Sequence, residues 1–213
     1  MQRLFDFICA AVGLVVLSPV FCIVALAIVT TDGRPILFRQ TRIGRNGEPF
    51  RILKFRTMRP GARGIAITAA GDPRVTRLGA RLRKYKLDEL PQLLNVLAGD
   101  MSLVGPRPEV AEYVEWDAPA WQTVLRTRPG ITDLATLIFR DEEAILSASS
   151  DPSTFYREKV LPRKLALNLR YMGCRSFLQD LKLIFLTVHY SLFPARFKPE
   201  LVRKAFHAGS IHI

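Results

Sequence analysis

The chain has 213 residues, which gives room for one compact domain with its own core plus a membrane or tail segment, but not comfortably for two independent domains. Its 31 Lys and Arg against 19 Asp and Glu leave a net charge of +12, favouring an anionic partner: nucleic acid, an anionic bilayer or a phosphorylated substrate. Cys9, Cys22 and Cys174 are odd in number and far apart, and His189, His207 and His212 all lie near the C-terminus, so a disulfide framework, a Cys/His zinc site and Ser-His-Asp or Cys-His chemistry are disfavoured. A reducing setting fits, with chemistry resting on carboxylates and cations.

Phe7 to Val29 is apolar apart from Gly13, Ser18, Pro19 and the cysteines, and is long enough to span a bilayer at ~1.5 Å per residue. A cleaved signal peptide is a poor reading, because the apolar core is too long and Thr30-Thr31-Asp32 is a poor cleavage site. Pro19 removes a backbone donor in mid-stretch, and Ser18 is placed to satisfy a freed carbonyl. Each half would then be about eleven residues, roughly 17 Å, so a hairpin entering and leaving by one face competes with a kinked span. Arg3 precedes the stretch and Arg34, Arg39 and Arg42 follow it; this lack of asymmetry suits the hairpin without deciding the matter.

Ile36 to Ile43 and Phe50 to Met58 read as strands joined by an Arg45-Asn46-Gly47 turn. On the second strand Lys54 and Arg56 share a face, which suits phosphate or a solvated edge equally. Arg59 to Arg74, rich in Gly and bracketed by Pro60 and Pro73, reads as a long loop. Val75, Leu78, Leu82 and Tyr85 then recur at helical spacing with Arg74, Arg77, Arg81 and Lys84 on other faces, a basic amphipathic helix suited to anionic lipid or to the protein surface. Phe177 to Leu192 carries an apolar stripe of Phe177, Leu181, Ile184, Phe185, Val188 and Leu192, with Asp180 and Lys182 arguing against a spanning helix and Phe-rich faces favouring the lipid interface. After Pro194 the basic, apolar mix around Pro199 is compatible with a short helix or a frayed tail.

The sharpest chemical signal is Lys86-Leu87-Asp88-Glu89-Leu90-Pro91-Gln92-Leu93-Leu94-Asn95-Val96-Leu97. Leu90, Leu93, Leu94 and Leu97 form an apolar face, and Pro91 belongs in a first helical turn, which puts Asp88 and Glu89 at a helix N-terminus. Free amides and the helix dipole there favour an anion and predict an ionised Asp88, ready as nucleophile or metal ligand. Side chains at i and i+1 diverge by about 100°, so the two carboxylates divide their roles. The alternative is a simple helix cap. Downstream, Arg107 stands between Pro106 and Pro108, which limit its backbone freedom and suit a guanidinium aimed at a phosphate oxygen, or an ordinary rigid turn.

In order along the chain, the Ser18-Pro19 apolar stretch, Phe38-Arg39-Gln40-x-Arg42-x-Gly44, Lys54-Phe55-Arg56-Thr57-Met58, Leu87-Asp88-Glu89-Leu90-Pro91-Gln92 and Gly105-Pro106-Arg107-Pro108-Glu109 closely resemble the bacterial sugar transferase family, the small monotopic phosphoglycosyl transferases. The match covers roughly residues 3 to 190. The resemblance implies an α+β, mainly helical fold in three parts: a re-entrant membrane helix (1–30) broken at Ser18-Pro19, a catalytic domain (31–195) with a short β-hairpin and amphipathic interfacial helices, and a C-terminal tail (196–213). It implies a monotopic protein of the inner membrane with its active site on the cytoplasmic face.

It further implies that Asp88 is both covalent nucleophile and Mg²⁺ ligand, attacking the β-phosphate of a UDP-sugar to release UMP. Polyprenyl phosphate, typically undecaprenyl, then takes the phosphosugar, the first membrane step of a glycoconjugate. Glu89 would accept a proton or orient Asp88 and the metal, and Lys54, Arg83, Arg107 and, more weakly, Arg56 would bind the phosphates. Two departures stand out. Lys86 occupies a place where the family commonly has a small polar residue, and after Arg128-Pro129-Gly130-Ile131-Thr132 the segment from Asp133 to Glu143 leaves the family pattern, which leaves the sugar open.

A membrane-tethered nucleic-acid binder is one rival, weakened because few aromatics interleave the basic runs. Direct sugar transfer releasing UDP, or hydrolysis by paired carboxylates, is another, although adjacent carboxylates do not suit the opposed pair of a glycosidase. The donor sugar, carrier length, glycan pathway and oligomeric state leave no signature in the sequence.

Overall fold

A computed structural model describes residues 2–62, 64 and 67–206; the expectations on His207, His212 and the end of the tail lie outside the described residues. The chain opens with α1 (Gln2–Val16) and α2 (Ser18–Asp32), which meet at a 60° bend. No single described helix is long and apolar enough to cross a membrane, whereas this bent pair together is. The bend follows from the sequence. Pro19 cannot donate to the carbonyl of Val15 four residues back, and the Ser18 hydroxyl donates to that carbonyl instead, at 2.8 Å.

The pair is fastened to the rest of the protein at both of its far ends. Arg3 donates to the Val96 and Leu97 carbonyls, the latter at 3.0 Å, and buried Asp6 accepts from the Ser102 hydroxyl at 2.6 Å. At the other end Asp32 accepts from the Thr76 hydroxyl at 2.7 Å, while Val24 and Ile28 are buried against Phe55 and Leu82. The middle is bare: Val12, Val15, Val16, Ile23 and Leu26 are all exposed, Val15 at 75%.

Next come β1 (Leu37–Ile43) and β2 (Pro49–Phe55), an antiparallel pair in which Phe38 faces Lys54 and Arg42 faces Phe50. The connection turns at Asn46 and Gly47, both with positive φ, as the turn chemistry predicts. The second strand stops at Phe55 rather than running to Met58. Arg56 still donates its amide to Ile36, but beyond it the chain leaves the ladder, and Met58 makes an isolated bridge to Val75.

The expected basic helix is α3 (Arg77–Lys84), capped by the Thr76 hydroxyl accepting from the Gly79 amide. Gly79 lies against the Thr57 backbone, where a Cβ would come within 2.1 Å of the Thr57 carbonyl oxygen; this close approach lets Arg83, one turn on, reach Thr57. A single 3-10 turn, Leu87–Glu89, precedes α4 (Gln92–Ala98). Asn95 of α4 accepts from the Leu53 amide and donates to the Arg51 carbonyl, sewing this helix to the open edge of β2. Of the four leucines expected on the buried face, Leu90, Leu93 and Leu97 pack inward, but Leu94 is exposed, because α4 begins only at Gln92 and its phase differs from that of a helix started at Asp88.

Two three-residue strands then pair in parallel, β3 (Ser102–Val104) and β4 (Gly130–Thr132), separated by α5 (Pro119–Leu125). Short helices follow: α6 (Leu134–Ile138), α7 (Glu142–Ser147), α8 (Pro152–Phe155) and α9 (Leu161–Gly173). With α10 (Phe177–Leu192) and α11 (Pro199–Ala205) they enclose the main core, which includes Trp121, Leu134, Leu146, Leu167, Leu183 and, from beyond Pro194, Val202 and Phe206. The helix expected over Phe177 to Leu192 has those bounds, but its stripe is turned outward: Phe177, Phe185, Val188 and Leu192 are exposed while Asp180, Leu183 and Tyr190 are buried. The architecture is thus mainly helical with two small sheets.

Candidate active site

Leu87 and Leu90 pack into the cluster built on Val24, Ile28, Phe55 and Leu82. Anchoring the two leucines that bracket the carboxylates turns Asp88 and Glu89 away from them, and the two are buried to 6% and 8% exposure. The division of roles is visible in their partners. Glu89 accepts from both terminal nitrogens of Arg107, at 2.5 and 3.2 Å, and from Lys54 Nζ at 3.0 Å. Asp88 Oδ1 is buried with no hydrogen-bond partner.

Arg107 is aimed from several sides. The neighbouring prolines restrict its backbone, its amide donates to Asp133 Oδ2 at 2.8 Å, and Asp133 itself caps α6 by accepting from the Thr136 amide at 2.6 Å. The segment is held against β4, where Gly105 donates to Thr132 and Gly130 to Pro106, with Gly105 and Gly130 so close that a Cβ on either would strike the other's strand.

Electrostatics separate the two acids. Burial alone would push both carboxyls up; for Glu89 the Arg107 and Lys54 charges outweigh it and hold the carboxyl well below the usual range. For Asp88 burial dominates, the Glu89 charge adds to it, and Lys54, Lys86 and Arg83 offset it only in part, so its carboxyl is raised. The direction is opposite to the lowering expected from a helix terminus, because burial outweighs the nearby cations. The amides of Glu89 and Leu90 are bonded within the turn to the Lys86 and Leu87 carbonyls, so they are not free for the carboxylate. Lys54 is pushed down to about 8, by burial first and by Arg107, with Glu89 opposing.

Activity that depends on the Lys54 charge is therefore expected to fall as pH rises through about 8. In Lys54→Arg, whose guanidinium stays protonated, this alkaline limb of kcat/KM is expected to disappear. A limb that persists unchanged in the variant would assign it to another group.

The four expected phosphate-binding cations are distributed unevenly. Lys54 and Arg107 converge on Glu89. Arg83 stands to the side, donating to Thr57 Oγ1 at 3.0 Å and pairing with half-exposed Glu143 at 2.7 Å, and its charge reaches Asp88. Arg56 is turned elsewhere: it donates to the carbonyls of Asp32, Gly33 and Pro35, closing the exit from α2, with its buried Nη1 unpartnered. Ser18 and Pro19 lie exposed at the bend and take no part in the cluster.

Lys86 takes a left-handed conformation, φ 55° and ψ 21°, and opens the turn that carries Asp88. A small polar residue suits that conformation, whereas a long side chain is strained there. Lys86→Asn is expected to raise stability by about 0.5–1 kcal/mol while removing a cation that lowers the Asp88 carboxyl, a gain readable in Tm.

Sequence reading missed a second buried layer behind Arg107. Arg42 donates to Glu109 at 3.4 Å and to the Pro108 carbonyl at 3.2 Å; Tyr156 donates to Glu109 at 2.6 Å, and Lys164 pairs with Glu142 at 2.8 Å and lies 3.9 Å from Glu109. Arg42 and Glu109 stood within recognisable motifs, but Tyr156, on a π-helical turn (Tyr156–Val160), and Lys164 gave no local signal. Gln92, also inside a motif, is fully buried with both amide atoms unpartnered.

Among the described residues no three His, Cys, Asp or Glu side chains gather as a metal-binding group. Mg²⁺, however, is commonly held by one or two carboxylates plus substrate phosphates and water. Asp88 Oδ1 fits that mode; Glu89, with both oxygens taken by cations, offers no second ligand. Two carboxylates stand among Lys54, Lys86, Arg83 and Arg107, a local excess of positive charge that favours a multiply anionic ligand.

The family model for bacterial sugar transferases matches residues 1–194. A UDP-glucose:undecaprenyl-phosphate glucose-1-phosphate transferase of Caulobacter vibrioides is 39% identical over 88% of this chain and 68% of its own length. A protein of the same description from Escherichia coli is 37% identical over 88% of this chain, which spans 39% of it. An exopolysaccharide production protein of Sinorhizobium fredii is 36% identical over 88% of this chain and 83% of its own length.

Proposed function

The chain belongs to the bacterial sugar transferase family, and from that premise we propose that it moves a sugar-1-phosphate from a UDP-sugar to a polyprenyl phosphate, releasing UMP, as the first membrane step of glycoconjugate synthesis. The carrying observation is the asymmetry of the acid pair: Glu89 is pinned by two cations, while Asp88 keeps a buried oxygen without a partner. That is the arrangement a carboxylate nucleophile needs.

An Asp88 oxygen bonds to the β-phosphorus of the donor. The bond from that phosphorus to the oxygen bridging the α-phosphate breaks, and the bridging oxygen leaves with the electron pair in UMP. A phosphate oxygen of the polyprenyl phosphate then attacks the same phosphorus, the aspartyl bond breaks, and Asp88 is regenerated. Lys54, Arg107 and Arg83 offset charge on the phosphoryl oxygens. Glu89, with its oxygens taken, orients Arg107 and Lys54 rather than accepting a proton. Mg²⁺ held at Asp88 would supply charge neutralisation at the diphosphate.

A re-entrant, monotopic placement with the site on the cytoplasmic face of the inner membrane fits the way both far ends of the α1–α2 pair are fastened to one body while the bend stands bare. The outward stripe of α10 continues this apolar surface through a Phe5–Phe177 edge contact, ring centroids 5.2 Å apart, and supports an interfacial role for that helix.

Product identity tests the reaction. The detergent- or nanodisc-held chain, with Mg²⁺, undecaprenyl phosphate and a panel of UDP-sugars led by UDP-glucose, the donor in the relatives' names, is expected to release UMP with at least one donor. Release of UDP instead would establish direct sugar transfer and sink the mechanism.

A further inference from the structure

An open groove of about 740 Å³ lies between α2 and β1, lined by Phe21, Cys22 and Ala25 on one side and by Ile36, Leu37 and Phe55 on the other, with Arg39 as the one charged residue of its lining. Its volume is that of a ligand site, which runs to roughly 300–1,000 Å³. Its floor leads to the chemistry. The Phe21 and Phe55 rings are 5.3 Å apart and share a cluster with Leu87 and Leu90, the residues that bracket Asp88 and Glu89. Phe55 also follows Lys54, which pairs with Glu89. The aromatic floor of the groove thus packs on the two leucines that bracket the carboxylates, and its outer wall is α2, whose exposed face carries Ile23 and Leu26.

We propose that this groove seats the first isoprene units of the polyprenyl phosphate acceptor, an inference that rests on the transferase reading above. Its occupant must have an apolar chain to cover the aromatic floor and an anionic end to answer Arg39, and it must reach the site from the angle between the helix pair and the catalytic domain. A polyprenyl phosphate has all three properties, and the remainder of its chain lies with the exposed helix faces. An ordinary phospholipid shares the first two but has no reason to prefer this place over the surrounding bilayer.

The test uses the full chain in nanodiscs. Ala25→Trp, which fills the groove, is expected to raise KM for undecaprenyl phosphate about tenfold or more while leaving the single-turnover burst of UMP unchanged, as loss of acceptor binding alone requires. Ile23→Trp, the same ring on the exposed face, is expected to change neither. In the native chain, alkylation of exposed Cys22 by a lipid-permeant maleimide is expected to slow at least several-fold with undecaprenyl phosphate and not with equal phosphatidylglycerol, exposed Cys174 serving as the reference thiol. An intact burst with an unaltered acceptor KM in Ala25→Trp overturns the proposal, as does equal protection of Cys22 by phosphatidylglycerol. Should the tryptophan disturb the burst itself, Cys22 protection decides. A native chain that releases no UMP from any donor fails the transferase reading instead, so the two failures are distinguishable.

Discussion

Asp88→Asn is expected to lower UMP release by about 10³-fold or more, because it removes the atom that would form the covalent bond while keeping the side chain's shape. The same substitution is expected to leave Tm unchanged or raise it. The Asp88 carboxyl is raised by burial and by the Glu89 charge, so its charged form is disfavoured in the folded protein relative to the unfolded chain. A group whose folded pKa lies above its unfolded value weighs against the fold once pH exceeds that unfolded value, and a neutral amide of the same size removes this burden at neutral pH. Loss of activity with retained or increased stability is the signature of a residue kept for chemistry. Intact-mass measurement supplies the second arm: with a UDP-sugar and no acceptor, the native chain is expected to gain the mass of one sugar phosphate and the variant none. An Asp88→Asn protein that still releases UMP at native rates would remove Asp88 from the reaction.

Features specified by a few adjacent residues were legible before folding. Ser18 and Pro19 placed the break, Asn46 and Gly47 the hairpin turn, and the apolar period from Phe177 to Leu192 gave a helix with those ends. The acid pair and the restrained arginine were legible as candidates for the same reason, since Pro91 and the prolines beside Arg107 act locally, although a helix cap and a rigid turn fitted the same residues. What the sequence hid depends on partners brought from far along the chain. Its place before a helix predicts a lowered Asp88 carboxyl, but burial, which is tertiary, raises it instead. Lys54 and Arg56 look equivalent on one strand face, yet the strand ends between them, and Arg56 meets the carbonyls of the α2 exit while Lys54 meets Glu89. The parallel pairing of β3 with β4 spans three residues a side, too few for any periodic signal, although it is what aims Arg107.

Glu89 is expected to weigh more in stability and Arg107 in catalysis, which makes them separable by a double-mutant cycle. Glu89→Gln leaves the buried Arg107 and Lys54 cations without their counter-charge, and removing one partner of such a pair costs about 3 kcal/mol or more. Arg107→Gln leaves Glu89 with Lys54 alone and is expected to destabilise less. In the double variant the stranded charge is reduced from both sides, so its Tm is expected to lie above that of Glu89→Gln. Catalysis follows a different rule. Arg107 would offset charge on the phosphoryl oxygens, and losing one such preorganised cation costs roughly 10²–10³-fold in kcat. Removing Glu89 as well cannot restore it, so the double variant is expected to regain stability over Glu89→Gln without regaining turnover. Recovery of both quantities together would mean that the pair only holds the fold, and that Asp88 works without an aimed guanidinium beside it.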